Sequence, residues 1–127
     1  SVVFLLIGVN DLAGSGKPPE ELARACADLV RAIRKPPKGR RAPKLVLQTV
    51  LPVGKKFAHH AYLTPRIVKY NEELRAVAKA EKIPVVDLYK LYADAEGLLP
   101  DDLSNDGLHL RPEAYARWAE AVNPHVP

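Results

Sequence analysis

Two short blocks in this 127-residue chain hold residue types that do acid–base chemistry. Near the end, Asp106-Gly107-Leu108-His109 sets a carboxylate three positions before an imidazole, with a glycine between them that permits a tight turn. In that geometry the carboxylate holds one ring nitrogen, fixes the tautomer and leaves the other nitrogen as a general base. Near the start, Gly8-Val9-Asn10-Asp11 follows an apolar run directly. An Asn amide at the carboxyl end of a strand can donate to a developing oxyanion. Each block alone has an equally simple structural reading: a capping Asp beside a structural His, and a turn in which Asn and Asp are common.

The elements that must position these blocks are readable from patterning. Val2-Val3-Phe4-Leu5-Leu6-Ile7 is an unalternating apolar run, as expected of a strand buried on both faces. It gives way to a polar loop from Asn10 to Lys17. Pro18-Pro19-Glu20-Glu21 opens a helix whose apolar stripe is Leu22, Cys26, Leu29, Val30 and Ile33, and Pro36-Pro37 ends it. Leu45 to Val50 reads as a second strand. Thr64-Pro65 supplies an N-cap and first position for a helix striped by Ile67, Tyr70, Leu74, Val77 and Ala78. Ile83 to Asp87 is a third strand, a short helix covers Leu88 to Ala95, and Pro112 opens a last helix through Val122. No internal repeat is present. Strands alternating with helices predict an α/β fold with a parallel sheet, whose ligands collect at the carboxyl ends of the strands.

Composition narrows the function classes. At 47% hydrophobic residues the chain has apolar content enough for a proper core, and its length fits a single domain over residues 1–127. A compact monomer of 14.0 kDa would expose ~6,700 Å². The single cysteine, Cys26, excludes a disulfide scaffold and, without a basic n-region, favours a cytoplasmic chain. No apolar run reaches the ~18 residues of a membrane span. Net charge is +4, yet eleven Lys and Arg residues and no acid lie between Arg31 and Asn71. The densest part, Arg34 to Arg41, is a Pro/Gly-interrupted linker with few aromatics interleaved, so it reads as a solvated surface loop, and nucleic acid is not an expected partner. His59, His60 and His125 do not have the spacing of a metal site, and Asp101, Asp102 and Asp106 lack the pattern of a calcium loop.

Taken in order, "VVFLLIGVNDL", "YNEELRAVAKAEKIPVVDLYKLY" and "DGLHLRPEAYARWAEAV" resemble the SGNH (GDSL) hydrolases, an esterase and lipase superfamily. The resemblance spans nearly the whole chain. It implies a three-layer α/β/α, flavodoxin-like fold and hydrolysis of a small-molecule ester through an acyl-enzyme, with no metal or organic cofactor. It assigns His109 as general base, Asp106 as its orienting carboxylate, Asn10 as oxyanion-hole donor and Gly8 as the turn that presents Asn10. The superfamily carries its nucleophilic serine in a Gly-Asp-Ser motif, and a second oxyanion donor, a glycine, ahead of the Gly-x-Asn-Asp block. That block begins here at residue 8, so the resemblance implies a domain truncated at its N-terminus to about three strands. The nucleophile is then unknown. Of the three serines, Ser1 lies at the amino end of its strand, Ser104 precedes the Asp–His pair in a loop, and Ser15 alone sits on the correct side. Without a preceding strand, residues 2–9 form a sheet edge, which predicts a homo-oligomer through that edge. The alternative function is a non-catalytic remnant that binds or oligomerises.

Overall fold

The computed structural model describes residues 1–127. Three parallel strands, β1 (Val2–Leu5), β2 (Lys44–Gln48) and β3 (Val85–Val86), form one sheet in the order β1-β2-β3. The register pairs Val2 with Lys44 and Leu5 with Leu47, then Leu47 with Val85. The crossovers are α1 (Val9–Gly14) with α2 (Pro19–Ile33), and α3 (His60–Glu81). After β3 come α4 (Leu88–Tyr92) and α5 (Tyr115–Val122).

Alternate strand residues feed two cores, as the pleat requires. Val3, Leu5, Leu45 and Leu47 meet Leu12 of α1, Cys26 and Val30 of α2, and Ile67, Tyr70 and Leu74 of α3. On the other face Val46 and Val86 pack with Leu88 and Tyr92, while Val2, Phe4, Leu6, Trp118 and Val122 stay partly exposed. Helices on both faces of a parallel sheet give the expected three-layer α/β/α architecture.

The two faces are unequally covered. Helix α5 contributes no fully buried residue, and β1 is half-buried throughout while β2 is buried from Leu45 onward. The reading of β1 as buried on both faces is corrected accordingly: its side chains do alternate between two cores, but nothing pairs its outer edge. The accessible surface is 7636 Å², roughly 14% above what a compact monomer of this mass exposes.

The helix expected from Pro112 begins at Tyr115, after a 3-10 turn over Pro112–Ala114, and the one expected to Ala95 ends at Tyr92. Three further boundaries depart from the sequence pattern. The segment after Gly8, expected as loop, winds into α1 because Leu12 is completely buried. Helix α3 starts at His60, not at Thr64-Pro65. Pro65 lies inside it, and the Thr64 hydroxyl is buried without a partner instead of capping. Burial of Leu63 four residues before Ile67 extends the helix backward past its own start signal. The third strand shrinks to two residues, because Asp87 leaves the sheet to cap α4 through the Lys90 N–H.

Candidate active site

The loop from Ser104 to Leu110 closes on itself through an antiparallel bridge between those two residues. Inside it, one oxygen of Asp106 accepts the backbone N–H groups of Leu108 and His109, both at 2.8 Å. The other oxygen meets His109 Nδ1 at 2.6 Å. Gly107 makes the turn with φ 79, a conformation in which a side chain is strained. The His109 side-chain bond, followed by the two backbone N–H groups, holds the Asp106 carboxyl far below the usual carboxylate range. An ionised Asp106 accepts only, so Nδ1 of a neutral His109 carries the proton and Nε2 presents its lone pair. Asp106 and His109 are solvent-exposed.

Facing this loop is the carboxyl end of β1. The chain turns at Gly8 with φ 124, and a Cβ there would lie 2.7 Å from the Tyr70 ring. Tyr70 donates its hydroxyl to the Ile7 carbonyl at 3.0 Å, and burial pushes that phenol well above its ordinary range. Glycine is thus required twice over, by the backbone and by the ring against it. Asn10 follows in the first turn of α1 and is exposed. Arg66 of α3 fastens this segment by donating to the carbonyls of Leu12 and Lys17 at 2.9 and 2.6 Å.

Between the two banks lies a cavity of about 290 Å³, lined by Asn10 and His109 and by apolar groups that include Ile7, Leu51, Val53 and Leu108. Its position at the carboxyl ends of β1 and β2 is where a parallel sheet gathers its ligands. The pairing of Asn10 with His109 in one cavity brings together residues 99 positions apart.

The floor is built by residues that the sequence pattern did not single out. Asn71, completely buried on α3, accepts from the Val50 N–H and donates to the Val50 carbonyl, each at 2.8 Å. That clamp sets the course of the segment 50–54, four of whose residues line the cavity. The Gly54 N–H then donates to the Gly107 carbonyl at 2.7 Å, tying floor to the Asp106–His109 loop through backbone alone. Alongside, Thr49 donates to Asp87, and Arg75 makes a two-pronged contact to the same carboxylate at 2.8 and 3.1 Å. Burial raises the Asp87 carboxyl's affinity for protons, but the hydrogen bonds from Arg75, Lys90 and Thr49 outweigh it and hold the group below its usual range. Asn71 carried a legible signal: it is a polar residue on a helix stripe otherwise made of Ile67, Tyr70 and Leu74.

The serines fall elsewhere. Ser104 is buried; its hydroxyl donates to the His109 carbonyl at 2.6 Å and accepts from the Gly107 N–H at 2.9 Å. It braces the loop from beneath. Ser15 ends α1, donating to the Asp11 carbonyl at 2.6 Å and accepting from the Lys17 N–H, and does not line the cavity. Ser1 accepts through its carbonyl from Lys44 at the amino end of the sheet. His59 and His60 sit at the start of α3, where the His60 Nδ1 bonds the Phe57 carbonyl, while His125 lies far along the chain beyond α5. Cys26 is buried in the first core, and burial pushes its thiol up.

Known proteins share this arrangement of elements. The family model for GDSL-like lipases and acylhydrolases matches residues 1–117. No curated protein matches the sequence. Among solved structures, a protein from Streptococcus pneumonia superposes with a TM-score of 0.81 at 22% identity, over 98% of this chain and 58% of its own. The acetyl xylan esterase AlAXEase gives 0.76 at 23% identity, over 99% of this chain and 67% of its own. Est24, a carbohydrate acetylesterase from Sinorhizobium meliloti, gives 0.77 at 17% identity, over 98% and 59%. At such identities the likeness establishes the fold, and this chain spans 58–67% of the length of these three structures.

Proposed function

Because this chain belongs to the GDSL-like lipase/acylhydrolase family, we propose that its cavity is the acid–base half of an ester-hydrolysing site. The observation that carries the reading is the 2.6 Å contact of Asp106 with His109 Nδ1, on the rim of a cavity that Asn10 shares. His109 Nε2 takes the proton of a serine hydroxyl as its oxygen attacks the ester carbonyl. The oxyanion so formed accepts from the Asn10 amide, and Gly8 holds the turn that aims it. His109 then returns the proton to the departing alcohol, leaving an acyl-enzyme. Water deprotonated by the same imidazole hydrolyses that intermediate and restores the serine. Ionised Asp106 stabilises the imidazolium at each transfer. No step requires a metal or organic cofactor.

The serine is the open term. No serine hydroxyl lines the cavity, so the reaction draws its nucleophile from a further segment or partner, or from a displaced Ser15. Fluorophosphonate labelling of the purified chain, with peptide mapping and His109→Ala as control, separates these cases. A His109-dependent adduct on one of the three serines supports a self-sufficient hydrolase. A folded chain that takes no adduct supports a half site awaiting a nucleophile from outside these residues.

A second reading has its own observation. The outer edge of β1 is unpaired, and the run from Ser1 to Ile7 carries no charge or proline of the kind that discourages edge pairing. With the excess exposed surface, this supports homo-oligomerisation through β1 as a binding or assembly function. Light scattering that finds only monomer at high protein concentration would sink it.

A further inference from the structure

At the end of the sheet opposite His109, the structure gathers cations that lie apart in the sequence. Lys44 opens β2, Lys82 follows α3, and Arg34 ends α2; together with His125 they line a groove of about 460 Å³ floored by Leu45 and Ile83. Lys44 and Lys82 are exposed and make no ion pair, and neither do Lys35, Lys38, Arg40 and Arg41 on the adjoining linker. Glu81 is the acid at this end, and it is already shared between Arg31 and Arg34 at 3.0 and 3.3 Å. Two unpaired lysines therefore stand in the groove's lining, with four more unpaired cations on the linker that leads into it.

Two further features single this place out. Lys82 has φ 54 and is the chain's one non-glycine residue with positive φ. A helix usually ends on glycine in that conformation, so a lysine held there is a departure from the easiest backbone choice. Three of the carbonyls at the end of α3, whose partial negative charge opposes an anion, are already hydrogen-bonded: Lys82 and Ile83 N–H groups reach Lys79 and Ala78, and Arg34 donates to Glu81. The charged side chains that line the groove, Arg34, Lys44 and Lys82, are all cationic.

We infer that this amino-end groove is a binding site for a compact multivalent phosphate anion, held by Lys44 and Lys82 with the linker cations around it. A groove of about 460 Å³ has the size of a small-molecule site. No phenylalanine, tyrosine or tryptophan lines it, so it offers no stacking platform for single-stranded nucleic acid. The site is separate from the ester-hydrolysing reading and does not depend on it.

Titration calorimetry with sodium tripolyphosphate tests the inference on the intact chain. One equivalent should bind, with affinity falling several-fold as NaCl rises from ~50 to ~500 mM, because exposed charges are screened. The double variant Lys44→Glu/Lys82→Glu should lose at least ~10-fold in affinity, equal to ~1.4 kcal/mol. Arg24→Glu/Lys90→Glu makes the same change in net charge at exposed positions outside the groove, and should stay within ~2-fold of the parent, as sites without shared partners do. Far-UV circular dichroism verifies that both variants fold. Absence of binding, or equal losses in the two variants, overturns the site. Tighter binding of single-stranded DNA or of phosphatidylserine vesicles than of tripolyphosphate overturns the assigned ligand.

Discussion

The backbone contact between Gly54 and Gly107 makes a prediction with its own internal control. Gly39 and Gly107 have nearly the same φ, 83 and 79. A Cβ on Gly39 meets nothing within 4 Å, whereas one on Gly107 lies 2.5 Å from the Phe57 nitrogen and 3.0 Å from the Gly54 oxygen. Alanine in the left-handed region costs ~1–2 kcal/mol, partly offset by a stiffer unfolded chain. Gly39→Ala should therefore destabilise by about 1 kcal/mol. Gly107→Ala adds ~1–3 kcal/mol of overpacking against backbone that has no rotamer to yield. It also lengthens the 2.7 Å Gly54–Gly107 hydrogen bond, a loss of ~0.5–1.5 kcal/mol. The total is ~3–5 kcal/mol, which for a chain of this size lowers Tm by roughly 10–20 °C. Urea titration followed by far-UV circular dichroism measures both variants, with an unchanged m-value as the check that the denatured state is the same. Losses within ~0.5 kcal/mol of each other would refute the claim that close backbone approach, beyond dihedral strain, demands glycine at position 107.

Three further outcomes follow from the same geometry. Asn71→Ala leaves the buried N–H and C=O of Val50 without partners and should destabilise by ~2–4 kcal/mol in urea titration; a loss under ~1 kcal/mol would mean that the 50–54 segment is held by other means. Ser104→Ala removes a buried hydroxyl that serves both Gly107 and His109. It should cost ~1–3 kcal/mol and broaden the His109 amide resonance. The depressed Asp106 carboxyl gives a pH prediction with a definite sign. Its stabilising contribution is complete above the unfolded-state value near ~4 and is lost only as pH falls below it. The Asp106 carboxyl carbon should therefore show no protonation step of its own near pH 4 by NMR, and a step there would dissolve the proposed pair.

The amino-acid pattern by itself carries much of the fold. The βαβαβ order, the two crossovers and the Asp106–His109 spacing are local signals, and local signals survive folding. What resists reading depends on tertiary contact. Thr64-Pro65 is a good helix start, yet the buried Leu63 recruits the preceding turn. Asn10 to Lys17 has loop composition, yet one buried leucine and the Arg66 clamp wind it as far as Gly14 into α1. The role of Gly54 emerges only when loops 53 positions apart meet, at the Gly107 carbonyl. A polar side chain on a buried stripe, as at Asn71, is the kind of anomaly that sequence reading can flag.

Helix α5 rests on the sheet without a fully buried side chain, and the chain's single tryptophan belongs to it. Trp118 stacks on Tyr115 and donates its indole N–H to Gln48 at 2.8 Å. An element so thinly seated opens locally at a lower free energy than the β2 core beneath it. Tryptophan emission therefore reports the lifting of α5, ahead of global unfolding. A thermal scan read by intrinsic fluorescence will show an earlier midpoint than one read by backbone dichroism, and the gap between the two measures how loosely the second face is covered.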